Sequence, residues 1–100
     1  MNDKVERHAA LCKTLNEMYQ RKNHDYGDSF HQSYLEEGIV TARFHLGEKM
    51  NRFKTLSKKP DAQQVQGESI RDTLLDLANY AIMTVMELES SHYDRFKADE

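Results

Sequence analysis

The chain has 100 residues, a formal net charge of −3 and an isoelectric point near 5.9. It is therefore long enough for one small domain, and it is not basic enough to bind duplex nucleic acid or an anionic membrane by bulk electrostatics. One cysteine excludes an intrachain disulfide and a cysteine metal cluster. No apolar run reaches the roughly 20 residues of a membrane span, and the N-terminus lacks the features of a signal peptide, so we expect a cytoplasmic protein.

The first element is an amphipathic helix over residues 3–21, because Leu11, Leu15 and Met18 recur at helical spacing between charged residues. The KNHDYGDSF motif (residues 22–30) follows. Its Asn, Asp and Gly residues are typical of a turn, but a plain turn does not need a histidine, a lysine and two aromatic rings. The motif is either a tight turn, with Asp28 or Ser29 capping the next helix and Phe30 in the core, or the mouth of a site for a small polar ligand.

Two further helices complete the predicted fold. One covers residues 31–57, where Gly38 is a candidate interruption that makes 31–37 a separate turn; Pro60 and Gly67 then bracket a connection. The other covers residues 68–90 and is apolar over more than half of its circumference, so it should be central. We expect an all-α bundle of three main helices forming one domain over residues 1–100, with 1–2 and 91–100 frayed. Three short helices do not cover both apolar sides of the last one, which predicts a homodimer or a homotetramer.

Polar stripes interrupt the last two helices. Asp72, Asp76 and Asn79 share one stripe of the third helix, and two aspartates four residues apart repel each other unless something positive lies nearby. The second helix carries a stripe with Thr41, His45, Glu48 and Arg52, and Lys49 lies beside it. Both stripes also have a plain interpretation. Asp72 lies near the N-terminus of its helix, where the helix dipole stabilises a negative charge, and the stripe of the second helix is a solvated face.

If the two stripes face each other, Glu48, Asp72 and Asp76 converge into an oxygen-rich site, which suits Mg²⁺ or Mn²⁺. Lys22, Lys49 and Arg52 would then contact the phosphate groups of a ligand.

Three blocks of the sequence resemble a known family. KNHDYGDSF, ARFHLGEKMNRFKTL and ESIRDTLLDLANYAIM, in this order over about residues 15–90, are similar to the phage and bacterial family called nucleotide-modification-associated domain 1, which is grouped with the MazG-like all-α nucleoside-triphosphate pyrophosphatases. The resemblance implies a MazG-like helical fold and an E-x-x-E plus E-x-x-D set of acids that binds Mg²⁺. Glu48 and Asp76 match this pattern, whereas His45 and Thr73 depart from it, with Asp72 as the neighbouring substitute.

The resemblance implies a Mg²⁺-dependent nucleotide-binding protein that hydrolyses a (d)NTP to release pyrophosphate, in the host cytoplasm if the gene belongs to a phage. Glu48 and Asp76 would be catalytic, and Glu48, Asp72 and Asp76 would hold the metal. The alternatives are a non-catalytic nucleotide-binding accessory subunit and a plain helical interaction module. The residues implied to contact the nucleotide are Lys22, Asn23, His24, Asp25, Tyr26, His45, Lys49, Arg52 and Asn79.

Overall fold

The computed structural model describes residues 3–58 and 68–98, with side chains for 3–58 and 70–90. In this part of the chain the fold is all-α, as predicted, and comprises four helices: α1 (Asp3–Tyr26), α2 (Ser29–Glu37), α3 (Ile39–Lys58) and α4 (Glu68–Ala98). None of the helices searched is long and apolar enough to cross a membrane.

Helix α1 is longer than predicted, because it continues through the first half of the KNHDYGDSF motif. Lys22, Asn23 and Tyr26 form its last turn rather than a loop. The helix ends where two successive residues, Gly27 and Asp28, adopt positive φ angles of 61° and 60°. Glycine has no Cβ to clash in this conformation, and aspartate tolerates it better than most residues do. The Gly27 amide donates to the Asn23 carbonyl at 3.0 Å, which closes the helix.

Helix α2 is a separate element, in agreement with the interruption predicted at Gly38. Asp28 precedes it in the N-cap position, but its side chain makes no capping hydrogen bond. Gly38 ends α2 with a φ of 76° and donates its amide to the Tyr34 carbonyl at 2.8 Å. The chain therefore turns between α2 and α3 in a backbone conformation that only glycine adopts without strain.

Helix α4 is longer than predicted at its C-terminal end. The helix extends to Ala98, past the predicted end at residue 90. The predicted connection at Pro60 and Gly67 lies outside the described residues, as do residues 1–2 and 99–100. For 91–98 only the helical backbone is described, so the fraying of the two termini stays a prediction.

Helices α3 and α4 run antiparallel and make the most extensive helix–helix packing of the described fold. Their facing sides form three contacts about one turn apart, and two of the α4 partners, Thr73 and Tyr80, lie outside the polar stripe predicted for that helix. The Arg52 Nε donates to the Thr73 Oγ1 at 3.1 Å, the Lys49 Nζ lies 3.3 Å from Asp76 Oδ2, and the His45 ring stacks on Tyr80. The seam between the two central helices therefore contains polar and aromatic contacts over three successive turns.

The apolar core of the single chain is thin. Among the described residues, the buried hydrophobic side chains are Phe30 (7% exposed) and Ala42 (1% exposed). The large apolar side chains left exposed lie along every helix: Val5, Leu11, Tyr26, Leu35, Ile39, Val40, Phe44, Met50, Leu74, Ile82, Val85, Met86 and Leu88.

This exposed surface supports our proposal that a second copy of the chain covers α4, as predicted from the sequence. Isologous dimers are the commonest way to bury such a face. We expect sedimentation at micromolar concentration to give at least twice the 11.7 kDa chain mass. Ile82→Glu, in the middle of the exposed α4 face, should lower that mass or the melting temperature, because it would bury a charge at the contact. Asn51→Glu, at an exposed polar position of α3, is the matched control. A stable wild-type monomer would contradict the proposal.

Candidate functional site

The carboxylate of Asp76 is held by two lysines from two other helices. Lys22 Nζ, at the end of α1, donates to Asp76 Oδ1 at 2.8 Å, and Lys49 Nζ, in α3, lies 3.3 Å from Oδ2. The Asp76 and Lys49 side chains are 19% and 22% exposed, whereas that of Lys22 is 53% exposed. A carboxylate that is mostly removed from water needs such partners. The contacts join α1, α3 and α4 at one point.

An aromatic cluster lies one turn further along α4. The rings of His45 and Tyr80 are nearly parallel, with centroids 4.6 Å apart and an interplanar angle of 7°. Phe30, the first buried residue of α2, approaches both rings at 5.9 and 5.7 Å. The His45 Nδ1 atom is buried and has no hydrogen-bond partner among the described residues. The contact of His45 with Tyr80 is the stacking of the two rings.

The hydroxyl of Tyr80 stays protonated over a wide pH range. Burial of the ring raises the pKa of Tyr80 above its usual value of 10.0, Lys22 acts in the opposite direction, and the negative charges of Asp76 and Glu48 add to the rise. A neutral phenol both donates and accepts a hydrogen bond, so Tyr80 offers a donor beside the lysine-bound carboxylate.

These groups border an open pocket of about 180 Å³ between α1, the start of α2, and α4. This volume is smaller than the roughly 300–1,000 Å³ of pockets that enclose drug-sized ligands, so it suits one ring system rather than a complete nucleotide. The wall combines aromatic rings, two amides, a hydroxyl and the Lys22–Asp76 ion pair. Its members are Tyr19, Lys22, Asn23, Tyr26, Asp28, Ser29, Phe30, Asp76, Asn79, Tyr80 and Met83.

The amide group of Asn79 has a defined orientation. Its Nδ2 donates to the backbone carbonyl of Leu15 at 3.1 Å, and a carbonyl oxygen accepts but cannot donate. The nitrogen must therefore face α1, and the Oδ1 atom is left as an acceptor. Because Asn79 also lines the pocket, it is suited to a ligand that carries an N–H donor.

Helix α2 is fixed against α4 on the far side of the pocket. His31 Nδ1 lies 2.9 and 2.8 Å from the two carboxylate oxygens of Glu87. Thr41, at the start of α3, donates its hydroxyl to the Ser33 carbonyl at 3.2 Å. These contacts hold Ser29 and Phe30 in place as one wall of the pocket.

The structure brings together many of the residues predicted from the sequence to form a site. Lys22, Asn23, Tyr26, Asp76 and Asn79 line the pocket. His45 and Lys49 lie directly behind it, through Tyr80 and Asp76 respectively.

Other predicted residues lie outside the pocket. His24 and Asp25 are exposed and contact each other, with Nδ1 and Oδ1 3.2 Å apart. Arg52 is bound to Thr73. Asp72 and Glu48 are exposed, although Glu48 is near enough to influence Tyr80. Ligand contacts by these residues remain predictions.

The predicted convergence of Glu48, Asp72 and Asp76 on a divalent cation does not fit the geometry of the single chain. Within the described residues, no group of three or more His, Cys, Asp and Glu side chains is placed to hold a metal ion. Both oxygens of Asp76 already contact ammonium groups, which would repel a cation. The Mg²⁺ site and the catalytic roles of Glu48 and Asp76 stay predictions, and no catalytic step is derived through a cation.

Several pocket residues were not singled out from the sequence. Tyr19, Tyr80 and Met83 line the pocket but were not among the residues predicted to contact a ligand. One signal was available, because Tyr80 lies one turn after Asp76 and Tyr19 lies one turn before Lys22. Side chains at this spacing share a helix face.

Comparison with known families adds to this geometry. Residues 22–88 match the family described as nucleotide modification associated domain 1. No curated protein and no solved structure gives a significant match. The matched region begins at the lysine that binds Asp76 and includes α2, α3 and the described side chains of α4 through Leu88. The chain therefore belongs to the nucleotide modification associated domain 1 family.

Proposed function

We propose that this protein binds a nucleotide, with the base or nucleoside in the pocket between α1, α2 and α4 and the phosphate beside Lys22 and Lys49. The observation that carries the proposal is the composition of the pocket. Aromatic rings, an oriented amide and the Lys22–Asp76 ion pair line one pocket of about 180 Å³, inside a region whose family is associated with nucleotide modification.

The aromatic side of the pocket suits a flat ring. Tyr19, Tyr26, Phe30 and Tyr80 all contribute to its wall, and every base can stack on an aromatic side chain. Phe30 is buried by the helices around it, whereas the Tyr26 side chain is 69% exposed. Tyr26 is therefore the ring with most surface free for a ligand.

The polar groups supply hydrogen bonds to the edge of such a ring. Asn79 offers the acceptor Oδ1, because its Nδ2 is bound to Leu15. Tyr80 offers a hydroxyl that remains protonated, and Asn23 offers a second amide at the end of α1. Acceptors and donors together allow the pocket to recognise a base or a sugar.

The charged side of the pocket suits the phosphate. Lys22 lines the pocket, and Lys49 reaches the opposite oxygen of Asp76. The ammonium groups of Lys22 and Lys49 face the carboxylate of Asp76, and the carboxylate of Asp28 also lines the pocket. The pocket is too small for the whole nucleotide, so the phosphate would lie at its rim against these lysines.

Hydrolysis of a bound triphosphate is a finer form of this function, and it is tested separately from nucleotide binding. The family resemblance implies pyrophosphate release with Mg²⁺, with Glu48 or Asp76 as the base. A non-catalytic accessory subunit would bind the nucleotide without turnover. A helical interaction module would do neither.

Calorimetric titration separates these three functions. The ligands are the four deoxynucleosides, their 5′-monophosphates and their 5′-triphosphates, each with Mg²⁺ and with EDTA. Pyrophosphate release is measured on the same triphosphate samples. Binding with release supports the pyrophosphohydrolase, and binding without release supports the accessory subunit. No binding by any ligand would overturn the proposed function.

Tyr26→Ala should weaken nucleotide binding by about 1–3 kcal/mol, the size of one base–aromatic stack. The melting temperature should change little, because the ring is mostly exposed. Phe44→Ala removes a comparably exposed ring, 65% exposed, that does not line the pocket and is the matched control. Unchanged affinity for Tyr26→Ala together with a large loss of thermal stability would assign Tyr26 to a structural role.

Tyr80→Phe should weaken binding by about 0.5–1.5 kcal/mol, the net contribution of one neutral hydrogen bond. The ring that stacks on His45 is kept, so the fold should persist, as circular dichroism can verify. Binding as tight as that of the wild type would show that the hydroxyl does not contact the ligand.

A further inference from the structure

We infer that the lysines of this site bind the ligand's phosphate directly, without a bridging divalent cation, and that Asp76 is their counter-ion rather than a metal ligand. The inference rests on the proposed function and concerns the phosphate end of the same site. It assigns Asp76 a role different from the metal-ligand and catalytic roles predicted from the sequence.

The first step concerns the four positions at which the family resemblance implies acids. Position 45 is a histidine whose ring is stacked on Tyr80. Position 73 is a threonine that is 3% exposed and accepts a hydrogen bond from Arg52. Neither side chain supplies a carboxylate. A divalent cation of this class needs an oxygen-rich shell, and two of the four implied carboxylate ligands are absent.

The second step concerns Asp76 itself. Lys22 and Lys49 approach different oxygens of its carboxylate, at 2.8 and 3.3 Å. A cation bound there would lie a few ångströms from two ammonium charges, in a partly buried setting where solvent screens them weakly. Glu48 is exposed to solvent, and among the described side chains it does not form a metal-binding group with Asp76 and a third ligand. The arrangement therefore opposes a cation at Asp76.

The third step concerns what the two lysines have left to offer. Each ammonium group carries three donors, and its contact with Asp76 uses one. The remaining donors allow a phosphate oxygen to bind to both lysines while the Asp76 contacts persist. The lysines come from α1 and α3, and the packing of both helices against α4 determines where the two ammonium groups lie. The two lysines thus form an anion site whose positive charge Asp76 partly neutralises.

The negative charge of Asp76 affects phosphate binding in opposite directions in the two arrangements. A phosphate bound to Lys22 and Lys49 is repelled by Asp76, so removing that negative charge should not weaken binding. A phosphate bound through a metal on Asp76 would be lost with the carboxylate. Asp76→Asn keeps the shape of the side chain and removes the charge, so the two arrangements predict opposite results for it.

The experiment measures the affinity of the full-length protein for deoxynucleoside 5′-monophosphates and for the corresponding nucleosides, in EDTA and in Mg²⁺. We expect monophosphate binding in EDTA within threefold of that in Mg²⁺, and tenfold or more above the nucleoside. Asp76→Asn should bind the monophosphate in EDTA as tightly as the wild type or up to about tenfold more tightly.

Lys49→Met tests the lysine side of the inference. It should weaken monophosphate binding tenfold or more and leave nucleoside binding within threefold, with Lys54→Met, at an exposed position of the same helix, as the control. An equal loss for both ligands would show a structural role and overturn the assignment.

Two other results would overturn this inference and leave the proposed function standing: monophosphate binding that requires Mg²⁺, or a tenfold loss in EDTA for Asp76→Asn. If neither nucleosides nor monophosphates bind under any condition, the proposed function fails as well.

Discussion

A half-buried carboxylate in the central helix determines how this small protein is put together. Asp76 lies on α4, and a charge in that position is costly unless opposite charges accompany it. Lys22 and Lys49 reach it from α1 and α3. The contacts bring the end of α1 next to α4, and the pocket forms where α1 ends and α2 begins. The ion cluster and the pocket are therefore two consequences of one packing arrangement.

The same arrangement explains why the apolar core is thin. The seam between α3 and α4 is occupied by Arg52 with Thr73, Lys49 with Asp76, and His45 with Tyr80. Three threonines lie among the buried residues, Thr41, Thr73 and Thr84. Polar seams contribute less to the free energy of folding than apolar ones of equal area, since hydrogen bonds exchange with water at little net gain. A chain that uses its central interface in this way depends on burying its outer apolar faces elsewhere, which supports the proposed second copy.

The sequence predicted the helical class and a polar side on each of the last two helices, because both depend on the 3.6-residue period of a helix. In the structure Thr73 and Tyr80 contact α3, whereas the predicted Asn79 bonds to α1. The sequence also predicted that Asp76 needs a positively charged partner. A metal ion was predicted for this role, and in the structure Lys22 and Lys49 contact the carboxylate. The lengths of α1 and α4 were underestimated. Asn23 and Asp25 are weak helix formers that usually favour turns, yet α1 continues through them to Gly27.

The pocket itself was only partly predictable. Lys22, Asn23 and Tyr26 attracted attention because they occur together in one short motif. Tyr19 and Tyr80 did not, since a tyrosine on a helical stripe is typical of packing as well as of ligand contact. The pairing of Lys22 with Asp76 joins residues 54 positions apart, and no local pattern encodes such a contact. It requires the tertiary arrangement of α1 against α4.

The central claim is that a nucleotide binds at the junction of α1, α2 and α4. Amide chemical shifts of the ¹⁵N-labelled protein, followed during titration with a deoxynucleoside 5′-monophosphate, test it most directly. The account predicts saturable shift changes concentrated in residues 19–30 and 76–83, with a smaller response around Lys49. Shift changes confined to other surfaces, or a spectrum that does not respond to any of the four monophosphates, would contradict it.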